Sequence, residues 1–273
     1  MKILRTTNEL REFVLENACE IGFVPTMGAL HDGHLSLIKQ SVGENDITLV
    51  STFVNPTQFL PGEDLDKYPK QEASDISICK NAGVDVMFIP AVSEIYSEFE
   101  PLILAPKNLA EILEGKTRPG HFDGVLRVLT KLFHLVCPKR VYMGKKDAQQ
   151  LVIVQNMVKT MFFNTQIVPC EIMRDSDGLA LSSRNSYLNE AQKKEALKLS
   201  RSLFKADELV RNGELNANEI KSKMSEILSP LEVDYIAIVD RNFAEISEIK
   251  LKNTIILVAA KVGKTRLIDN LWI

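Results

Sequence analysis

At 273 residues, with 45% hydrophobic and 25% charged side chains, the chain has the composition of a globular protein with one main core and room for a smaller appendage. A formal charge of -3 and a pI of about 5.9 exclude a global basic field of the kind that recruits nucleic acid, and no apolar run is long enough to span a bilayer. Neither a nucleic-acid nor a membrane partner is therefore expected.

Cys19, Cys79, Cys137 and Cys170 are widely spaced, form no CxxC or Cys/His cluster, and sit among apolar neighbours. That pattern predicts reduced thiols packed in cores rather than a disulfide framework or a zinc site. Lys2 and Arg5 are not followed by the apolar stretch of a secretory leader, so a cytoplasmic protein is expected.

Short apolar runs alternate with helical spacing along the chain. Residues 20–25 read as a buried strand, 34–42 as a helix, and 47–55, rich in β-branched side chains, as a second strand. Residues 66–82 carry helical apolar spacing that stops at Gly83, and 84–90 form a third strand. A strongly apolar helix over 125–137 is closed by Pro138, followed by a short strand at 140–143, a helix at 149–161 and a strand at 166–173. Strand and helix in this alternation predict an α/β domain over residues 1–173, a parallel sheet covered on both faces. After Arg174 the texture changes. Helices at 190–211, ending near Gly213, and 216–228 precede strands at 233–239 and 255–260, which predicts a small α+β domain over 174–273.

The most informative segment is residues 25–37, PTMGALHDGHLSL. A strand gives way to a glycine-containing loop, and a helix is expected to begin near Gly33 or His34. Ligands of open α/β sheets bind at the carboxyl ends of strands, and a helix start there offers N–H groups and a positive dipole end to a phosphate. His31 and His34 bracket Gly33, and imidazoles at this spacing can donate to charge developing on an attacked phosphate. Two GKT strings, at 115–117 and 263–265, are not P-loops, because Ala110 and Val258 stand where the first glycine is needed.

An HxGH between strand and helix resembles the signature of the nucleotidylyltransferase superfamily, relatives of class I aminoacyl-tRNA synthetases. The fuller string PTMGALHDGH is similar to that of the pantothenate synthetase family. Further segments match it in order: 53–59 (FVNPTQF), 118–125 (RPGHFDGV), 144–150 (GKKDAQQ), 174–188 (RDSDGLALSSRNSYL) and 263–270 (GKTRLIDN). The resemblance runs from near residue 20 to the C-terminus. It implies a Rossmann-like first domain that binds nucleotide and pantoate, and a smaller second domain acting as a lid.

The residue types suit that chemistry. Asn55 and Gln58 supply neutral donors and acceptors for a small hydroxy acid, with Pro56 stiffening the turn and Phe59 as an apolar wall. Arg118 can face phosphate or carboxylate and His121 can line the pocket. Gly144 permits close ligand approach, Lys146 can neutralise phosphate charge, and Asp147 can accept from ribose hydroxyls. Ser182, Ser183 and Arg184 form a loop able to close over phosphates and exclude water.

By resemblance, ATP is held by Met27, Gly28, Ala29, Leu30, His31, Asp32, Gly33 and His34 at the first loop. Gly144, Lys145, Lys146 and Asp147 hold it at the second, and Met173, Leu181, Ser182, Ser183 and Arg184 at the third. His31, His34, Lys146 and Arg184 are the implied catalytic groups, while Gln58, Gln150, Asn55, Arg118 and His121 are implied for pantoate and β-alanine. Lys145 departs from the family pattern, which more often has an acidic or amide residue there.

The implied reaction consumes ATP, pantoate and β-alanine, passes through a pantoyl-adenylate, and yields pantothenate, the vitamin B5 precursor of coenzyme A, with AMP and pyrophosphate. Mg²⁺ is expected on the phosphates with no assigned protein ligand, and a homodimer is expected. A nucleotidylyltransferase acting on a phosphorylated acceptor and a non-catalytic nucleotide-binding regulator are the alternatives.

Overall fold

The computed structural model describes residues 1–17 and 20–273, so Cys19 lies outside the described residues. The chain divides into two compact units, Met1–Lys145 with Gln149–Glu171, and Lys146–Ala148 with Ile172–Ile273.

The first unit runs β1 (Lys2–Leu4), α1 (Thr7–Glu16), β2 (Ile21–Thr26), α2 (Asp32–Glu44), β3 (Ile47–Thr52), α3 (Glu72–Asn81) and β4 (Val86–Phe88). Three short helices follow, α4 (Val92–Ile95), α5 (Lys107–Ala110) and α6 (Leu113–Thr117), then α7 (His121–Val136), β5 (Arg140–Gly144), α8 (Ala148–Thr160) and β6 (Gln166–Cys170). The six strands pair in parallel in the order β1-β4-β3-β2-β5-β6. Phe23, Leu49, Met87 and Val141 are fully buried along these strands, as expected of a sheet covered on both faces. From β2 the sheet grows through β3 and β4 on one side and through β5 and β6 on the other. The order therefore reverses between β2 and β5, and the crevice where α/β sheets bind ligands opens at their carboxyl ends.

The second unit contains α9 (Glu190–Arg211), α10 (Ala217–Leu228) and an antiparallel sheet of β7 (Glu232–Asp240), β8 (Thr254–Val262) and β9 (Thr265–Trp272), in that order. Asn189 and Gln192 form a capping box at the start of α9, and Asn216 caps α10. Leu203, Ala206, Ile220 and Met224 of the helices pack with Ile238, Ile256 and Val258 of the sheet.

The α/β and α+β classes read from the sequence agree with this architecture, but several elements differ. The helix expected over 66–82 is confined to Glu72–Asn81, with a 3-10 turn at Leu65–Lys67. Pro69 explains the break, since it forces Tyr68 to an extended ψ of 128°. The long apolar helix begins at His121, four residues earlier than expected, on Gly120 with φ 83°. β1, α1 and β9 lie outside the elements expected from the sequence. The expected core packing holds for Cys79 and Cys170, which burial pushes up to about 12 and about 11. Cys137 is instead exposed, because it caps α7 in the left-handed region with φ 48°. Among the described residues no helix is long and apolar enough to cross a membrane.

What matters most for the site is how α7 holds the 3-10 turn Pro56–Gln58 that follows β3. A Cβ at Gly124 would stand 2.3 Å from the Thr57 carbonyl oxygen and 2.6 Å from the Gln58 nitrogen. This close approach lets the buried Asn55 donate to the Gly124 carbonyl at 3.0 Å. Asn55 Oδ1 accepts from Thr57 Oγ1 at 2.9 Å and Tyr96 Oη at 2.7 Å. The Tyr96 ring has the Arg127 and Lys131 cations 4.9 and 4.8 Å from its centroid, and both cations pair with Glu100. Burial works against ionisation of Glu100, but Lys131, the Ser97 amide and Arg127 together hold it down to about 2.

At the α7 N-terminus, His121 Nδ1 donates to the Gln58 carbonyl at 2.8 Å and Nε2 accepts from Arg118 at 3.1 Å. Burial, and next the Arg118 charge, push His121 down to about 4 from an ordinary 6.5.

Gly124→Ala is expected to lower stability by about 1–3 kcal/mol, read as a lower denaturant midpoint at unchanged m-value. Neutral His121 contributes stability that is complete above pH 6.5 and is lost as the pH falls toward about 4. The melting temperature should therefore fall more steeply through that window in the parent protein than in His121→Gln. Parallel pH profiles for the two would contradict it.

Candidate active site

The β2–α2 corner is built differently from the expectation. α2 begins at Asp32, with His31 as its N-cap and His34 at the third helical position. The Gly33 amide donates to His31 Nδ1 at 3.1 Å, and the His31 amide donates to His34 Nδ1 at 3.4 Å. The two imidazoles thus form a capping box of the kind Ser and Glu usually make. Because each Nδ1 accepts from a main-chain N–H, each neutral ring carries its proton on Nε2. The rings stack with centroids 4.1 Å apart at 35°.

The loop leading into α2 is saturated from within. Gly28 and Ala29 both adopt left-handed backbone, φ 84° and 52°. The Gly28 amide donates to Thr26 Oγ1 at 3.1 Å, and the Ala29 and Leu30 amides donate to the two carboxylate oxygens of Asp75 at 2.9 and 2.8 Å. Asp75 is on α3, 2% exposed, and sequence reasoning missed it. The available signal was an acidic residue one helical turn before Cys79, on a face that turns out to be buried. The amides expected to greet a phosphate here, those of residues 28–31 and Gly33, are therefore engaged internally.

Across the β2 and β3 ends, Gln58 Nε2 lies 3.3 Å from Met27 Sδ, and Gln58 Oε1 accepts from Asn55 Nδ2 at 2.9 Å. The Gln58 amide is thereby oriented and tied to the first loop. Asn55 is buried behind it. Arg118 donates through Nε and Nη2 to Glu63 at 2.6 and 2.7 Å and reaches the Gln58 carbonyl at 3.3 Å. With His121 on the same carbonyl, both residues grip the main chain of Gln58. Glu63, the anion that collects Arg118, was also missed. On α8, Gln149 is buried and bonded to the Glu114 amide and to the Leu109 and Ile112 carbonyls. Its neighbour Gln150 is half-buried, and its side chain makes no hydrogen bond among the described residues.

Gly144 ends β5, and Lys145 pairs with Glu171, which gives this departure from the family pattern a local partner. Lys146 and Asp147 belong to the second unit, with Lys146 Nζ 3.4 Å from Asp147 Oδ1. In the same unit the Leu181 amide donates to the Met173 carbonyl at 2.9 Å, and Arg174 bridges Ala180 in antiparallel fashion. Ser182 Oγ caps the 3-10 turn Ser183–Tyr187 by accepting from the Arg184 amide at 3.3 Å. Ser183 and Arg184 are half-buried. Among the described residues no group of three His, Cys, Asp or Glu side chains converges as a metal site.

The family model described as pantoate-beta-alanine ligase matches residues 2–272. Pantothenate synthetase of Campylobacter curvus is 67% identical over 273 residues, 100% of each chain. That of Helicobacter acinonychis is 50% identical over 276 aligned positions, again covering 100% of both. Among solved structures, pantothenate synthetase from Thermus thermophilus superposes with a TM-score of 0.95 at 40% identity, covering 100% of this chain and 99% of that one. Pantoate-beta-alanine ligase from Francisella tularensis, solved as a complex with beta-gamma ATP and beta-alanine, gives a TM-score of 0.81 at 38% identity and covers 100% and 97%. With its HxGH corner, its Gln58 anchor and full-length agreement in sequence and fold, the chain belongs to the pantoate–β-alanine ligase family.

Proposed function

We propose that this chain, an ATP-dependent ligase of pantoate and β-alanine, works through a pantoyl-adenylate, with the stacked His31–His34 pair as its central device. The observation that carries the reading is the placement of those rings, each with Nδ1 turned to a main-chain N–H at the start of α2. Two imidazoles stand side by side at the carboxyl end of β2, an arrangement suited to stabilising charge that grows on an α-phosphate under attack. The Francisella relative, with its nucleotide and beta-alanine, supports ATP and β-alanine as ligands of the shared fold.

In the first half-reaction a pantoate carboxylate oxygen attacks the α-phosphorus and pyrophosphate leaves. In the second, the β-alanine amine attacks the acyl carbon, AMP leaves, and the amine loses a proton. A carboxylate is a poor electrophile, so the first step creates the leaving group the second needs. The protein's part is placement and charge stabilisation.

We assign Gln58 and Gln150 to pantoate, Gln58 also to β-alanine, and Asn55, Arg118 and His121 to holding Gln58 in place. Lys146, Ser182, Ser183 and Arg184 are assigned to phosphate oxygens, Asp147 to the ribose, and Met27, Gly28, Asp32, Gly33, Gly144 and Met173 to the nucleotide's contact surface. Mg²⁺ would enter with the nucleotide, held by phosphate and water oxygens, as this ion commonly is. We further propose a cytoplasmic homodimer. Phe99, Leu102 and Leu104, exposed at 85%, 75% and 71% within one short segment of the first unit, supply apolar surface for the pairing.

With ATP, pantoate and β-alanine, the protein is expected to release AMP and pyrophosphate. Release of ADP and phosphate would refute the adenylate route. His34→Ala should slow pantoate-dependent ATP–pyrophosphate exchange about a hundredfold while pantoate binding changes little. Near-parental exchange in that variant would remove the histidine from the mechanism.

Asp75 allows a second test. Burial, the largest influence, raises its pKa despite the Leu30 and Ala29 amides, so its charge is held at the expense of stability. Asp75→Asn should lose about tenfold in exchange because one loop amide loses its acceptor. A variant with full exchange activity would show that the loop does not need the clamp.

A further inference from the structure

Two neighbouring polar residues of β9 are almost wholly buried. Asp269 is 3% exposed and Asn270 is 2% exposed, in the otherwise apolar string LIDNLW. Successive strand residues point to opposite faces of a sheet. Asp269 is paired with Val258, on the face that α9 and α10 cover, and Asn270 with Leu257, on the other.

Each holds a segment that the sequence ties to phosphate. Asn270 Nδ2 donates to the main-chain carbonyl of Lys146 at 2.7 Å. Asp269 takes a bidentate pair from Arg174, 2.6 and 3.0 Å, and also accepts from the Asn270 amide at 2.8 Å. Arg174 in turn donates to the Gly178 carbonyl at 3.2 Å and bridges Ala180, two residues before Ser182. The turn Lys146–Ala148 packs with the second unit although Lys145 and Gln149 belong to the first. Asn270 bonds this turn to β9.

We propose that Asn270 is a positioning residue for Lys146 and Asp269 a positioning residue for the loop bearing Arg184, so that both phosphate cations are set by one strand. The proposal rests on the phosphate roles assigned above to Lys146 and Arg184. Neither β9 residue is assigned to a substrate contact. Asn270 fixes where the Lys146 main chain lies, and hence where its ammonium can reach. A part-buried carbonyl that loses its donor turns toward water, and the side chain shifts with it.

A double-mutant cycle on intact protein decides the matter. Asn270→Ala and Asn270→Asp are each made alone and with Lys146→Ala, and kcat with KM for ATP and for pantoate are read from pantoate-dependent exchange, alongside melting temperatures. Each Asn270 variant is expected to lower kcat about tenfold with pantoate KM within about twofold, and to add less than about twofold once Lys146 is alanine. Should Asn270→Asp not fold, the alanine variant carries the cycle, since it removes the donor without placing a charge against the carbonyl. Additive losses in an otherwise active enzyme would overturn the tether while leaving the function intact. Full activity in Lys146→Ala alone would overturn the phosphate role of that lysine, and the tether with it. An inactive parent protein would overturn the functional reading itself.

Discussion

Two hydrogen bonds from the Ala29 and Leu30 amides to the carboxylate of Asp75 fix the loop on which the β2–α2 corner is built. That loop carries left-handed backbone at Ala29, a conformation a residue with a Cβ adopts only when its surroundings impose it. The clamp supplies the imposition. Downstream, the chain arrives with His31 at the N-cap and His34 one turn on, and the two rings take over the capping that Ser and Glu normally provide. Capping and chemistry are thus linked. The nitrogen that terminates the helix is Nδ1 of each ring, which sets the orientation of both imidazoles.

The amide of Gln58 is fixed by a longer chain of support. Glu100 gathers Lys131 and Arg127, which lie over Tyr96, and the tyrosine hydroxyl bonds Asn55, which orients Gln58. An unsatisfied buried polar group costs about 1–3 kcal/mol, so a flip of Asn55 would break several bonds at once. On the main-chain side, Arg118 and His121 grip the Gln58 carbonyl, and Gly124 permits the helix to come close enough for this. Under the proposed assignment of Gln58 to pantoate, the small hydroxy acid would meet an amide whose direction is settled before it arrives, which lowers the ordering cost of binding.

Much of this was legible in sequence. β2 and β3 stood out as buried runs flanked by turn chemistry, and the PTMGALHDGH segment fixed the position of the corner to within two residues. α9 was readable at both ends, through the Asn189 cap and the glycine at 213. Other parts were hidden for physical reasons. α1 carries a Thr6–Glu9 capping box, but it buries only Leu10 and Phe13, so its apolar face is thin. β9 reads poorly as a strand because Asp269 and Asn270 interrupt its apolar run, and their partners are 95 and 124 residues away. Asp75 looks like any solvated helix acid until tertiary packing buries it. Whether Arg118 points to a ligand or to Glu63 depends on a pairing across 55 residues that local spacing does not encode.

The second unit is discontinuous along the chain, taking the turn Lys146–Ala148 from the middle of the sequence and the remainder from Ile172 onward. A gene cut once near residue 172 would separate Asn270 from the carbonyl it holds. Chimaeras between relatives should therefore exchange codons 146–148 along with the C-terminal segment. Over evolutionary time, substitutions in that small turn are free to track those in β9 more closely than those in the lysine immediately before it.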